Sequence, residues 1–168
     1  AAYESGIRFL DTAQQYGNSE QIMGTYMQNN PKHSFMVISK LKPDIDPYDR
    51  TAMVGAIKRS YSTIGKALAG MLIHNPAWLM SWNNGIGSAI RECIEKQYIK
   101  AYGVSVYSPD ELEQAISIDS RSIFQIPLNV LDRRFLISGL VPMALTHGKT
   151  FFIRSVFGES FLAPLCFR

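Results

Sequence analysis

The fold of this chain is constrained most by a regular alternation of short apolar, β-branched runs with longer stretches of helical spacing. The six runs lie at residues 7–12, 35–41, 70–74, 101–106, 123–128 and 150–156. Their ends are between about 24 and 34 residues apart, which is the length of one β/α unit. Because each helix must return the chain before the next parallel strand begins, the alternation predicts about six parallel strands.

Three of the intervening segments carry signals for a helix start. Asn18 followed by Gln21 is a capping-box variant, and Asp46-Pro47 marks the start of a second helix. The strongest signal is Ser108-Pro109-Asp110-Glu111, because proline suits the first helical position and acidic side chains suit the positive end of the helix dipole. These starts place a helix after each of three predicted strands.

Periodicity alone leaves two parallel architectures open, a doubly wound open sheet and a closed barrel. A dinucleotide-binding open sheet would need G-x-G-x-x-G at the turn after its first strand. The closest string is Gly85-Ile86-Gly87, which lacks the third glycine and does not follow the first visible strand. The string therefore adds little support to the open sheet.

Length and composition predict a single domain over residues 1–168 of the globular class, with 46% hydrophobic and 18% charged residues. No apolar run approaches the roughly 18 residues that cross a bilayer, and the first residues lack the layout of a signal peptide. We therefore expect a cytoplasmic protein with no membrane partner.

The net charge of +3 comes from dispersed basic residues, so no nucleic-acid partner is expected. Cys93 and Cys166 lack metal-site spacing, which predicts two free thiols and no metal.

Ionisable side chains collect where successive predicted strands end. Asp11, Lys40 and His74 end the first three runs, and Tyr16 lies five residues beyond Asp11 in the following loop. In a parallel barrel all these ends open onto one face, which is where barrel active sites are built. The four side chains are therefore expected to converge, although each alone has an ordinary structural explanation as a helix cap, a solvated lysine, a packing tyrosine or a core histidine.

The types of these four residues suit proton transfer to an oxygen atom. A tyrosine, whose pKa in water is about 10, acts as an acid near neutrality when a cation such as Lys40 stabilises its phenolate. Asp11 could hold Lys40 charged and in place, and His74 could orient a substrate carbonyl. Four groups with these complementary roles favour a catalytic site.

Four segments resemble successive signature blocks of the aldo-keto reductases: residues 6–20, 38–40, 72–76 and 99–105. The resemblance runs in register from residue 1 to about residue 157. It implies a partial TIM-type (β/α)8 barrel of about six β/α units, the family's strands 2 to 7, with the first and eighth strands missing. It also implies that Asp11, Tyr16, Lys40 and His74 are the catalytic tetrad, with Tyr16 as the proton donor.

The resemblance further implies reduction of a small-molecule carbonyl compound by a nicotinamide cofactor, usually NADPH with NADH not excluded, and without a metal. Ser105 and Gln125 match positions that hold the nicotinamide carboxamide, although Val106 replaces the asparagine often found there. Ser155 matches a position near the cofactor pyrophosphate. Gln125 also has a structural explanation as an inward-facing polar residue of a barrel.

Both ends of the chain depart from the family pattern. The chain opens with Ala1 rather than Met, and residues 158–168 drift from the pattern, so we expect a truncated member whose tail comes from a frameshift or an early stop. Two unpaired sheet edges would make such a chain marginally stable, weakly active and prone to self-association. The alternatives are a non-catalytic or regulatory binding module, an inactive gene fragment, or a phosphate-binding barrel isomerase, which would need a glycine-rich site after the seventh strand.

Overall fold

The structure is a computed structural model that describes residues 1–116 and 122–157. Every predicted apolar run overlaps a strand: β1 (Phe9–Asp11), β2 (Met36–Leu41), β3 (Gly70–Ile73), β4 (Tyr102–Ser105), β5 (Ser122–Pro127) and β6 (Thr150–Arg154). The helices are α1 (Ser19–Asn29), α2 (Arg50–Ile64), α3 (Ile86–Glu95), α4 (Pro109–Ile116), α5 (Arg134–Ile137) and α6 (Leu140–Thr146). A 3-10 helix over Pro76–Asn84 precedes α3. The predicted β/α alternation is therefore confirmed.

The strands are hydrogen-bonded in the order β1-β2-β3-β4-β5-β6 and run parallel. Each strand lies beside its neighbour in the chain, which is the order found in (β/α)8 barrels. A doubly wound sheet would instead reverse its strand order at a switch point. The topology is thus that of a partial (β/α)8 barrel, as predicted from the sequence.

The chain divides into two compact units, Ala1–Gly103 and Val104–Arg168. Unit 1 contains β1, β2 and β3 with the first half of β4, and unit 2 contains the second half of β4 with β5 and β6. A single domain over residues 1–168 stays a prediction. Residues 158–168, on which the expectation of a frameshifted tail rests, lie outside the described residues, as does Cys166.

The core of unit 1 is built from two strands and the inner face of α2. Strands β2 and β3 are buried almost throughout, and α2 buries Met53, Ile57 and Ile64 at the helical spacing seen in the sequence. Helix α1 packs closely on α2 at Gly24, where a Cβ atom would lie 2.1 Å from the Thr63 carbonyl oxygen. The close approach of these two helices therefore depends on glycine at this position.

Close packing also explains the Gly85-Ile86-Gly87 string. A Cβ atom at Gly85 would lie 2.4 Å from the Pro47 carbonyl oxygen, and one at Gly87 would lie 2.6 Å from the Trp82 carbonyl oxygen. Both contacts are with backbone atoms, which cannot move aside as a flexible side chain can. The two glycines thus serve chain packing in unit 1.

The helix starts agree with the sequence signals in part. Helix α4 begins at Pro109 as predicted, but Asn18 makes no side-chain capping bond, so the predicted capping box of α1 is wrong. The start of α2 is also four residues later than Asp46: Asp46 accepts from the Tyr48 N–H in a local turn, and Asp49 caps the helix by accepting from the Ala52 N–H. An Asx turn and a helix cap use the same type of bond, which is why the sequence did not separate them.

In unit 2, α4 and α5 pack against α6, and β5 pairs with β6. Its buried side chains include Leu112, Phe124, Phe135 and Ala144. The rings of Phe124 and Phe151 lie 5.5 Å apart on adjacent strands. Over the residues that the structure describes, no helix is long and apolar enough to cross a bilayer.

Candidate active site

Lys40 is the centre of the candidate site in unit 1. Its ammonium donates to Asp11 Oδ1 at 2.7 Å and to the Thr12 carbonyl oxygen at 3.0 Å. The lysine side chain is 2% exposed, whereas that of Asp11 is 46% exposed. A buried ammonium is stable only when a counter-charge and hydrogen bonds replace its water. Parallel pairing of β1 with β2 supplies that counter-charge, because it brings together two residues that are 29 positions apart.

The other two predicted catalytic residues lie beside this ion pair. The Lys40 Nζ atom is 5.4 Å from the centre of the Tyr16 ring, and the Tyr16 and His74 rings are 6.5 Å apart in an edge-on arrangement. Tyr16 is 49% exposed, so a ligand can contact this residue from solvent. The structure therefore brings together all four residues that the sequence selected, within one unit.

The loop that carries Tyr16 is held by an extension of the β1–β2 ladder. The Thr12 N–H donates to the Ile38 carbonyl at 2.9 Å, and the Gln14 N–H donates to the Lys40 carbonyl at 3.1 Å. Gly17 has φ of +57°, a left-handed conformation that glycine adopts without strain and that turns the chain toward α1. The position of Tyr16 is thus set by backbone bonds before it, by the turn at Gly17 and by the Ser19 N–H, which donates to the Tyr16 carbonyl oxygen at 3.1 Å.

A polar network lies behind this loop. Gln14 Nε2 donates to Ser60 Oγ at 2.9 Å, and Ser60 Oγ donates to Glu20 Oε2 at 3.1 Å. Ser39 Oγ donates to the other carboxylate oxygen of Glu20 at 2.5 Å. Because Ser39 and Ser60 are buried, these bonds replace the water that the polar groups lose. The network connects α1, α2 and β2 beneath Tyr16.

Sequence reasoning missed all four members of this network. One signal was available for Ser39, which is a polar residue within the otherwise apolar strand segment Val37-Ile38-Ser39. A polar side chain in a strand that is buried on both faces requires an internal partner. The identity of that partner, Glu20 on α1, depends on the packing of the helix and could not be derived from spacing.

The residues that were predicted to contact the cofactor lie in unit 2. Ser105 Oγ and Gln125 Oε1 are 3.4 Å apart and both side chains are buried, and the Val106 N–H donates to the Gln125 carbonyl oxygen at 2.9 Å. Ser155 follows β6 with φ of +56°, an uncommon value for a non-glycine residue. Its carbonyl oxygen accepts from Asn129 Nδ2 at 3.1 Å, which ties the ends of β5 and β6 together.

Comparison with known proteins gives a family match and several similar structures. The model of the aldo/keto reductase family matches residues 1–165. An aldo-keto reductase from Bacillus halodurans in its holo form is 21% identical, with a TM-score of 0.75 over 92% of this chain and 52% of that one. An aldo-keto reductase enzyme from a Medee basin deep-sea metagenome library is 19% identical, with a TM-score of 0.76 over 99% of this chain and 60% of that one.

A third structure is that of an aldo/keto reductase from Klebsiella pneumoniae in complex with NADP and acetate. It is 18% identical, with a TM-score of 0.71 over 90% of this chain and 54% of that one. These three likenesses confirm the partial barrel, and the chain spans between 52% and 60% of the length of the three proteins. Comparison with the curated proteins gives no match. Because the family model covers almost the whole chain, the chain belongs to the aldo/keto reductase family.

Proposed function

We propose that this chain is a reductase that converts a small aldehyde or ketone into an alcohol with a nicotinamide cofactor. The observation that carries the proposal is the ion pair at 2.7 Å between the exposed Asp11 and the buried Lys40, whose ammonium lies 5.4 Å from the centre of the Tyr16 ring. A cation held at this distance from a phenol stabilises the phenolate that remains after the proton has left. An ion pair with no such task would not need a partly exposed tyrosine beside it.

Each residue of the tetrad then has a defined role. The Tyr16 hydroxyl group gives its proton to the carbonyl oxygen as negative charge develops there. Lys40 stabilises the resulting phenolate, and Asp11 keeps Lys40 charged and oriented. His74, whose ring lies edge-on to Tyr16, donates a hydrogen bond that orients the carbonyl group. The nicotinamide, when bound, supplies the hydride to the carbonyl carbon and is oxidised.

The polar residues of unit 2 fit a nicotinamide cofactor. A carboxamide needs both a hydrogen-bond donor and an acceptor, and the buried Ser105 hydroxyl and Gln125 side-chain amide offer both. Their mutual contact of 3.4 Å is long, so little is lost when each bonds to a ligand instead. Ser155, at the carboxyl end of β6, is proposed to contact the pyrophosphate. NADP in the Klebsiella pneumoniae relative makes NADPH the first cofactor to test and NADH the second.

The test is a titration of the purified chain with NADPH and NADH, followed by nicotinamide fluorescence and by oxidation of the cofactor with a panel of small aldehydes and ketones. Tyr16→Phe removes the proton donor and should abolish turnover while binding is retained. Tyr48→Phe is the matched control, since Tyr48 is an exposed tyrosine in the same unit and 61% of its surface faces solvent. Equal turnover by Tyr16→Phe and the wild type would exclude the proposed mechanism, and binding without turnover would support a non-catalytic binding module.

A further inference from the structure

Arg154 is a half-buried cation that the proposed tetrad and the predicted carboxamide contacts do not use. It is the last residue of β6 and pairs in register with Pro127 of β5. Because side chains alternate along a strand, Arg154 lies on the same face of the sheet as Gln125. The arginine therefore stands at the carboxyl ends of the strands, on the side where unit 2 carries its predicted cofactor contacts.

The guanidinium group of Arg154 has one occupied nitrogen and one vacant edge. Nη1 donates to Ser155 Oγ at 3.4 Å, and the Cζ atom lies 4.4 Å from the centre of the Tyr107 ring. Nε and Nη2 are both buried, and neither has a hydrogen-bond partner among the described residues. These two nitrogens form the edge of the guanidinium that donates two parallel bonds to the oxygens of a carboxylate or phosphate.

The same edge is filled in a second arginine of unit 2. Arg134 Nε donates to Asp132 Oδ1 and Arg134 Nη2 donates to Asp132 Oδ2, both at 2.9 Å. These bonds lower the pKa of Asp132, whose carboxylate is therefore committed to Arg134. Glu111 is also engaged, since its Oε2 atom accepts from the Tyr107 N–H at 2.6 Å. Both of these carboxylates are thus engaged by donors other than Arg154.

A buried guanidinium edge with unused donors is costly in the folded state, unless a ligand supplies the missing acceptors. We propose that Arg154 binds an oxyanion, a phosphate or a carboxylate group, through Nε and Nη2. Stacking on Tyr107 holds the plane of the guanidinium, and the bond to Ser155 holds its rotation. The site is thus preorganised for a planar, two-oxygen contact.

Two sources could supply this oxyanion. A phosphate group would come from the nicotinamide cofactor, and this source rests on the proposed function. A carboxylate would come from a substrate that carries an acid group beside its carbonyl. The oxyanion site itself stands on the contacts of unit 2 and does not require turnover. Binding measurements with separate ligands can therefore distinguish the two sources.

The experiment compares the wild-type chain with Arg154→Met, Arg154→Lys and, as control, Arg133→Met. Arg133 is an exposed arginine of the same unit, and Arg154→Lys keeps the charge but lacks the two-donor edge. Binding of NADPH, inorganic pyrophosphate and acetate is measured by isothermal titration calorimetry, and folding is checked by circular dichroism. We expect Arg154→Met to weaken binding of at least one ligand by about tenfold or more. The affinity of Arg154→Lys for that ligand should lie between those of Arg154→Met and the wild type, and the affinities of Arg133→Met should equal those of the wild type.

The outcomes separate this inference from the proposed function. A loss for pyrophosphate and NADPH identifies a phosphate site, whereas a loss for acetate alone identifies a carboxylate site. Pyrophosphate binding that depends on Arg154, in a chain that does not bind NADPH, would sustain the oxyanion site and reject the proposed function. Wild-type affinities that remain unchanged in a folded Arg154→Met variant, or a wild type that binds none of the three ligands, would overturn the oxyanion site.

Discussion

The two units treat their buried polar groups differently. In unit 1, the ammonium of Lys40 donates to two protein oxygens, and both oxygens of the Glu20 carboxylate accept from buried serines. In unit 2, Ser105 and Gln125 share one long contact of 3.4 Å, and an entire edge of the Arg154 guanidinium has no acceptor among the described residues. Lys40 and Glu20 of the first unit are thus satisfied by protein atoms, whereas the Arg154 edge and the Ser105–Gln125 pair of the second unit leave hydrogen bonds unused.

This difference agrees with two separate tasks. Residues that must hold one proton donor in one position gain from bonds made within the protein, because such bonds exist before a ligand arrives. Residues that bind a ligand need donors and acceptors that are not already committed. The comparison therefore predicts that substitutions in the unit 1 network mainly lower stability, whereas those in unit 2 mainly lower ligand affinity.

The largest expected effect is that of Asp11→Asn. The substitution removes the charge opposite a lysine that is 2% exposed, and an uncompensated buried charge is expensive. We expect the free energy of unfolding to fall by about 3 kcal/mol. Urea unfolding followed by tryptophan fluorescence reports on this unit, because Trp78 and Trp82 both lie in it.

Lys40→Met is the matched control for that substitution. It removes the buried charge and leaves the exposed partner in water, so we expect a loss of no more than about 1 kcal/mol. A greater loss for Lys40→Met than for Asp11→Asn would mean that the ammonium is not the costly member of the pair. The conclusion that protein atoms of unit 1 satisfy the ammonium of Lys40 would then have to be revised.

The second effect concerns Cys93, a buried free thiol in the core of unit 1. Burial raises the pKa of Cys93 to about 11, from the ordinary value of 9.0. The folded state therefore favours the protonated thiol, by on the order of 2 kcal/mol below about pH 9, and this contribution is lost as the pH rises toward 11. We expect the stability difference between the wild type and Cys93→Ala to shrink over this range.

Thiol reactivity provides an independent measurement of the same burial. Since the thiolate is the reactive form, Cys93 should react with a thiol reagent at pH 8 only after the unit opens. The rate at this position is obtained as the difference between the wild type and Cys93→Ala. Rapid reaction in the folded protein would show that the core beneath the site is open to solvent, against the tight packing inferred for unit 1.

The third effect is that of Ser39→Ala, which deprives Glu20 Oε1 of a donor at 2.5 Å. We expect a loss of about 1–2 kcal/mol, since a partly buried carboxylate oxygen would lose its hydrogen bond. Ser62→Ala is the control, because Ser62 is exposed on α2. Equal unfolding free energies for the two variants would show that the network contributes nothing to stability.

The smallest effect is expected for Ser105→Ala in unit 2. Its contact with Gln125 is long, so the loss of stability should stay below about 1 kcal/mol, as followed by far-UV circular dichroism. If Ser105 binds the carboxamide, the substitution should lower the free energy of cofactor binding by more than it lowers the free energy of unfolding. A loss of stability as large as that of Ser39→Ala would remove the difference between the units on which the comparison rests.

The two outer strands of the sheet, β1 and β6, expose apolar side chains. Strands β1 and β6 have one hydrogen-bonded neighbour each in the strand order, and Phe9 and Ile153 on them are substantially exposed. Unpaired edges with exposed apolar side chains favour association between chains. We therefore predict that the chain self-associates, which sedimentation velocity over a range of protein concentrations would test.

Much of the fold could be predicted from local patterns. Five strands lie within the predicted runs, β5 begins one residue before its run, and α4 begins at the predicted proline, because side-chain periodicity and cap chemistry are properties of neighbouring residues. The start of α2 was predicted wrongly for the same reason, because Asp46 and Asp49 carry the same local cap signal. Choosing between them requires the position of the helix axis, which packing against the sheet decides.

The positions of the strands and the types of side chain at their carboxyl ends could be predicted from local sequence alone, and so could the resemblance that selected Asp11, Tyr16, Lys40 and His74. The hydrogen bonds and ion pairs of these side chains depend instead on the three-dimensional fold. The 2.7 Å ion pair joins positions 29 apart, and the Ser60–Glu20 bond joins positions 40 apart. The unused edge of Arg154 is visible only once the acceptors among the described residues have been located. The physical reason is that hydrogen bonds and burial depend on distances in space, which periodicity along the chain does not contain.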